Sequence, residues 1–496
     1  MSVSAGKALI LFLAVGGLLN SMAIPGMHKM ARLCRGRNTG IVDWRYSRYA
    51  WRKRVVCEVV AHGTAIASQV SFRVRGIWHV TRCKLTITRV MSRTMVAATG
   101  IFYLAQAAQV FGLGFRNPDQ GARATGQGEA FVAQADDPSA VYYNPAGLVQ
   151  MPGTQISGGG YALFSHVRLD GVAVDNSMDR FSVLPHFYVV TDLCQSNSPW
   201  RFGLGVNVPF GNSANWGNGL NAPFRYLVSK SSLSVMNFAP TVAYRVNECF
   251  SLGCSLNIYY VSTEMAQKIP GSYFSQATDA SFRFKGDGMG VGATLGALWK
   301  INERHSVGAV YRSPFSIDFK ESATLRNPSV GPSDANATIQ FPQSVAFGYA
   351  YRPMPKLKLE VDADWTGWDA LNNVHMHWSK GPLNGYIIPF NWMDSWFYEF
   401  GAQYELNEHW TVRAGYIFSE CSVPQSVFSP SIVDSDRHVL SAGIGYNTER
   451  FSVDVVYQCS LLVGRTINQA ASVFGNVNGE WSGDGHAVMV TTTFRF

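Results

Sequence analysis

Between Asn212 and Lys230 the chain places Trp216, Pro223, Phe224, Tyr226 and Leu227 around Arg225. Apolar rings beside a cation suit an amphipathic anion, because the rings shelter a hydrocarbon and a guanidinium can take a carboxylate through two parallel hydrogen bonds. Arg312 is a second basic residue suited to that task. The expected ligand-binding residues are therefore Trp216, Phe224, Arg225, Leu227 and Arg312. An aromatic loop that simply packs on its neighbours would carry the same composition, and the residues alone leave both readings open.

Other chemistries lack their residues. A nucleophile and its base on one strand need an even offset to share a face, and His438 and Ser441 are three apart. There is no Gly-x-Ser-x-Gly elbow and no paired-His spacing, so neither an enzyme nor a metal site is expected, and no cofactor. Five cysteines follow residue 90, at irregular spacings that match no zinc or disulfide framework. Cys249 and Cys254 would lie too far apart along one strand to pair unless the chain turned between them.

The elements that must position such a site are strands. From Leu357 to Trp365 the odd positions are Leu, Leu, Val, Ala and Trp, and the even ones are Lys358, Glu360, Asp362 and Asp364. Strand geometry puts these sets on opposite faces. In a bilayer, a one-residue slip would turn the charged set toward lipid at roughly 2 to 4 kcal/mol for a basic group, less for the acids. The same alternation recurs in segments beginning at Val345, Trp396, Trp410, Leu440 and Phe451, and in the last ten residues, which end on Phe496. A soluble sandwich also alternates. Here, however, aromatic residues gather at strand ends and the opposite face is rich in Gly and charge, as in a membrane barrel. No apolar run long enough for a helical span follows residue 110. The expected fold is thus all-β, a transmembrane antiparallel β-barrel; roughly 340 residues at 20 to 28 per strand and loop allow about 12 to 18 strands.

Charge separates a leader from this body. Residues 1–90 hold 15 Lys or Arg against 2 acids, and residues 91–496 hold 26 against 31. The basic balance belongs to the leader, and the body offers no nucleic-acid surface that composition can identify. An apolar run from Ala8 to Ile24 is one candidate export signal. The preferred one is Met95–Leu104, preceded by Arg82, Lys84, Arg89 and Arg93 and followed by Ala105-Gln106-Ala107. Residues 1–90 are accordingly expected to be an over-extended start or a processed leader, and 91–107 a signal peptide. Residues 108–152 lack alternation and contain Asp136-Asp137, Pro138 and Asn144-Pro145-Ala146-Gly147-Leu148. Prolines stop pairing there, so the segment is expected to be a partly helical plug in the lumen of a barrel formed by 153–496.

These pieces, with Tyr311-Arg312-Ser313, Ala363-Asp364-Trp365-Thr366-Gly367-Trp368, Leu406–Tyr416 and Asp434-Ser435-Asp436-Arg437-His438, appear in an order that resembles the FadL-type outer-membrane transporters. The resemblance covers about residues 108–496. It implies about 14 strands, an amino-terminal hatch that includes Asp136, Asp137, Asn144, Pro145, Ala146 and Gly147, an apolar ligand pocket, and a lateral exit where the third strand kinks inward. Gly203, Gly205 and Pro209 are the residues of that strand suited to a kink. It further implies location in the outer membrane of a Gram-negative-type bacterium and uptake of long-chain fatty acids or similar hydrophobic molecules by lateral diffusion. The alternatives are an aromatic-hydrocarbon transporter, or a structural protein or porin without specific transport. The expected partners are a hydrophobic ligand, outer-membrane lipid and lipopolysaccharide, and the barrel-assembly machinery through Phe496, for a chain acting as a monomer.

Overall fold

The computed structural model describes the backbone of residues 31–36, 39–46, 53–62 and 69–75, and residues 114–496 apart from 171, 174–180, 194–196, 218, 220, 327–329, 379–384 and 470–475. The chain divides into two units, Met1–Thr94 and Met95–Phe496. In the first, strands Ala31–Gly36, Thr39–Tyr46, Lys53–His62 and Gln69–Arg75 pair in sequence order as an antiparallel sheet. The expected signal peptide, 91–107, and the first residues of the expected hatch, 108–113, lie outside the described residues.

The second unit is a closed antiparallel barrel of fourteen strands. They are β1 (Thr154–Leu169), β2 (Phe181–Thr191), β3 (Trp200–Asn215), β4 (Lys230–Arg245), β5 (Phe250–Ile269) and β6 (Ala280–Lys300). β7 is His305–Arg312 continued by Phe315–Arg326, and β8 is Val330–Phe341 continued by Ser344–Met354. β9 is Leu357–Thr366 extended by Asn373–Trp378, and β10 is Tyr386–Pro389 followed by Ser395–Glu405. β11 (Trp410–Ser419), β12 (Arg437–Asn447), β13 (Phe451–Ile467) and β14 (Gly479–Arg495) complete the ring. β14 closes on β1, with Arg495 opposite Gln155 and Trp481 opposite Leu169. Closure leaves no sheet edge to be satisfied in lipid.

Alternation sorts the side chains as expected. On β9, Leu359 and Val361 are 38 % and 47 % exposed on the outer face, and Glu360 and Asp362 between them are 2 % and 1 % exposed. This inversion of a soluble protein, with apolar residues out and charge in, is what a bilayer solvent selects.

Two departures from regularity matter for function. Pairing of β2 with β3 covers only Phe187–Thr191 against Phe202–Val206. Beyond Asn207, where its register with β4 shifts, β3 turns into the lumen, and residues 206–214 are all buried. The strand thus runs on to Asn215, past the point at which the sequence suggested a loop. Its freed backbone groups are met from inside: the Asn117 N–H donates to Pro209 O at 2.8 Å, and the Gly211 N–H to Phe115 O at 2.8 Å. The wall therefore parts between the first half of β2 and the second half of β3.

The second departure is an inversion of polarity along the strands. On β6 the outward face changes from Arg283, Lys285 and Asp287 to Met289, Val291 and Leu295, and the inward face changes from Phe282 and Phe284 to glycines and Thr294. Beyond this level the outer face is polar and the interior apolar. On β7 and β8 the side chains exchange faces at Pro314 and Pro342: Tyr311 and Phe347 point outward, and Phe315, Ile317, Ala337 and Phe341 are buried inside. Proline interrupts the ladder and resets the register at both positions.

Candidate functional site

The inner segment, residues 114–152, has little regular structure: single helical turns at Ala122–Thr125 and Ala140–Tyr143 and a 3-10 turn at Pro145–Gln150. Its backbone donors need partners other than a ladder. The wall supplies them. Phe131 and Val132 donate their N–H groups to Asp362, both at 2.8 Å, and Ala133 and Gln134 donate to Glu360 at 2.6 and 3.2 Å. Lys358 Nζ lies 2.6 Å from Asp136 Oδ2, and Arg116 meets both oxygens of Asp364 at 3.0 and 2.5 Å. All four lumenal charges of β9 hold this segment. Arg413, by contrast, pairs with Asp454 across the wall at 2.7 Å.

The expected hatch residues are ordered by their own chemistry. Asn144 donates through Nδ2 to Val132 O at 2.8 Å and Ala297 O at 3.1 Å, and its Oδ1 accepts the N–H of Ala146 at 3.1 Å. That side-chain cap starts the 3-10 turn, with Pro145 in the first position where no N–H is needed. A Cβ on Gly147 would lie 2.2 Å from Ala135 O, so only glycine fits this approach. Asp137 accepts the N–H of Ser139 at 2.8 Å. Burial raises the carboxyl of Asp136, but Lys358 and Arg123 outweigh burial and hold it below its ordinary value.

A small cavity lies where the inner segment meets β3. Arg116, Tyr142, Phe210, Tyr259, Arg312 and Phe315 are among its lining residues, and its volume of about 30 Å³ has room for water but not for an acyl chain. Arg312 bridges wall and inner segment: its Nη2 donates to Tyr142 O at 3.0 Å, its Cζ lies 4.8 Å from the Tyr142 ring centre, and its Nη1 is 3.8 Å from Asp364. Arg312 Nε and Asn237 Oδ1, both from lining residues, have no hydrogen-bond partner in the protein. Adjoining this polar spot is an aromatic cluster: Phe115 packs against Trp368 at 4.9 Å, Trp392 at 5.3 Å and Phe341 at 5.6 Å, and Phe315 stacks on Tyr259 at 3.8 Å. Two guanidinium groups beneath an aromatic chamber can receive an amphipathic molecule head down.

The residues expected to bind ligand separate into two places. Trp216 and Phe224 are buried with Val433, Phe428 and Trp481, with Leu227 packed on their edge, and Trp216 Nε1 donates to Pro430 O at 2.9 Å. Arg225 lies 3.5 Å from Asp279 and over the Tyr226 ring. Arg312 belongs to the cavity instead. On β3, Gly203 and Gly205 make room for the inner segment: Cβ atoms there would lie 2.9 and 2.7 Å from Val141. Pro209 sits in the inward bend and lines the cavity. Cys249, Cys254, Cys421 and Cys459 are unpaired. His438 and Ser441 face opposite ways, His438 toward Tyr416 outside and Ser441 toward the Gly128 N–H inside.

Arg116 and the chamber residues Phe115, Phe210, Phe315, Phe341, Trp368 and Trp392 escaped the sequence reading. Arg116 stands in an aperiodic stretch, 248 residues from its partner Asp364. The chamber did leave a signal on β6, where the apolar positions change from Phe282 and Phe284 to Met289, Val291 and Leu295.

Comparison with known proteins places this architecture. The long-chain fatty acid transport protein of Escherichia coli O6:H1 is 22 % identical over 419 residues, covering 75 % of this chain and 92 % of the relative. The solved structure of a Pseudomonas aeruginosa FadL homologue superposes with a TM-score of 0.68 at 20 % identity, over 77 % of this chain and all of that one. The Pseudomonas putida toluene transporter TodX superposes with a TM-score of 0.61 at 19 % identity, over 79 % of this chain and all of that one. Members of the matching family are transport channels and not enzymes. Residues 103–496 match the family described as outer membrane protein transport protein, OMPP1/FadL/TodX, and the chain belongs to that family of outer-membrane β-barrels that transport hydrophobic compounds.

Proposed function

We propose that the protein takes up long-chain fatty acids or similar amphipathic carboxylates. The observation that carries this reading is Arg312, with its Nε left without a partner among the described residues, beside an aromatic cluster: an acyl chain lies against rings, and a carboxylate has a guanidinium donor within reach. Arg225 and Leu227, half-buried at the edge of the cluster that holds Trp216 and Phe224, form a first contact for the ligand. Residues 114–152, with Asp136, Asp137 and Asn144–Gly147, act as the hatch, and the cavity beside them enlarges when that hatch rearranges. Release is lateral, through the parting between β2 and β3 beyond Asn207, where Pro209 lies and next to the paired stretch that holds Gly203 and Gly205, so the apolar chain never crosses water. Lipid and lipopolysaccharide surround the monomeric barrel, and Phe496 is the signal for the barrel-assembly machinery.

A second reading is uptake of aromatic hydrocarbons, favoured by the likeness to a toluene transporter and by the aromatic residues around Phe115. Binding of oleate and of oleyl alcohol to the folded barrel tests the choice. A carboxylate site discriminates against the alcohol, and Arg312→Gln removes the discrimination; indifference to the head group, with tight toluene binding, replaces the first reading by the second.

A further inference from the structure

The lumenal wall is not uniform where the inner segment touches it. Glycines stand at the contact on β7, β10 and β11, and at each the backbone of the inner segment occupies the space of a side chain; on β8, Gly348 leaves its space to Asp362 Oδ1, 2.3 Å from where a Cβ would be, and to Val132. A Cβ would lie 2.2 Å from Val132 O at Gly308, 2.9 Å from Val132 Cβ at Gly348, 2.6 Å from Gln127 O at Gly401, and 1.9 Å from Gly128 N at Gly415. The strand between these pairs, β9, carries no glycine from Leu357 to Thr366; it presents Glu360 and Asp362 to four consecutive N–H groups, from Phe131 to Gln134. Flat backbone on both sides and acceptors in the middle match a non-helical stretch of chain that has donors to satisfy and lies close against the wall.

Position in the ring adds to this. β9 is paired along Leu359–Thr366 with β8 and along Leu357–Thr366 with β10, so its carboxylates project from wall that is fixed on both sides. It also lies seven strands from β2 in a ring of fourteen, diametrically across the lumen from the parting between β2 and β3.

We propose that the lumenal face of β7–β11 is a seat for residues 127–136, and that Glu360 and Asp362 are positioning residues whose acceptor oxygens keep the lumen sealed from the side opposite the wall opening. The inference rests on the reading of this segment as the closure of the lumen and is independent of the ligand.

Planar-bilayer conductance of the full chain tests it, with heat-modifiable gel mobility to verify a folded barrel. In the double variant Glu360→Ala/Asp362→Ala, the N–H groups of residues 131–134 lose their side-chain acceptors; in Gly415→Val the new side chain meets backbone that no rotamer can avoid. Both are expected to give steady conductance at least about tenfold above wild type, as a water-filled barrel does relative to a plugged one. Glu264→Gln serves as control, because Glu264 pairs with Lys230 at 3.2 Å and Arg283 at 2.6 Å, away from the seat. If neither variant assembles, Gly401→Ala, which meets Gln127 O, carries the test alone. Folded variants as tight as wild type, or an equal leak from Glu264→Gln, overturn the seat. A leak in the variants, with a wild-type barrel that binds no hydrophobic ligand, would uphold the seat and refute the transport reading separately.

Discussion

Asp364 offers the sharpest test of how the inner segment is held. Its two oxygens accept from Arg116 at 3.0 and 2.5 Å, Arg116 also donates to Thr366 at 2.7 Å, and the two charged side chains are only 7 % and 6 % exposed. Replacing Asp364 by Asn keeps the shape but leaves Arg116 buried without its countercharge, and breaking a buried pair from one side costs about 3 to 5 kcal/mol. Removing both charges in Arg116→Met/Asp364→Asn leaves no Arg116 charge to strand, while Arg312 keeps its bonds to the Tyr142 and Tyr143 carbonyls, and most of that loss should return. Trp368 and Trp392 pack on Phe115, next to Arg116, so their fluorescence in a urea titration reports on this end of the segment. Asp364→Asn is expected to shift that transition to lower urea, and the double variant to restore it. A loss below about 1 kcal/mol, or a double variant as unstable as the single, would show that the pair is solvated and does not fasten the segment.

Further expectations follow from other contacts. Arg312→Gln should weaken oleate binding by about 1 to 3 kcal/mol, the scale of a lost charged hydrogen bond, with oleyl alcohol unaffected; equal losses for both would remove Arg312 from head-group recognition. Arg225→Ala should act in the same direction, and unchanged oleate affinity would leave the loop without a head-group role. Gly205→Val intrudes on Val141 and should destabilise by about 1 to 3 kcal/mol in thermal unfolding, whereas a neutral result would mean that β3 yields freely at this point. Asp136, held below its ordinary value of 3.8, contributes stability that is full above that pH and fades as pH falls below it. The stability difference between wild type and Asp136→Asn should therefore be constant from neutral pH down to this range and shrink below it; a difference that fades near neutrality would contradict the sign.

Much of the wall was legible because lipid enforces a period of two. Leu357–Trp365 could be read residue by residue, since four charges in one strand admit a single face. The inner segment was legible only as a lack of period, with prolines and a capping Asn. What lay beyond reading were contacts between distant residues. Nothing near Arg116 points to Asp364, and nothing between Asn212 and Lys230 shows that Trp216 would be covered by residues from 428–433 and by Trp481. The chamber could have been suspected from β6, where the apolar positions move from even, Phe282 and Phe284, to odd, Met289, Val291 and Leu295; across Pro314 the odd positions stay apolar, so the exchange of faces there left no mark in the sequence. A change of apolar parity along a barrel strand marks the level at which the outer face leaves the lipid.

Equilibrium binding of radiolabelled oleate and toluene to the folded barrel, each competed against the other, bears most directly on the proposed transport of amphipathic carboxylates. Saturable oleate binding that toluene displaces only at much higher concentration is the predicted result. Binding of neither compound to a barrel of verified heat-modifiable mobility would contradict it.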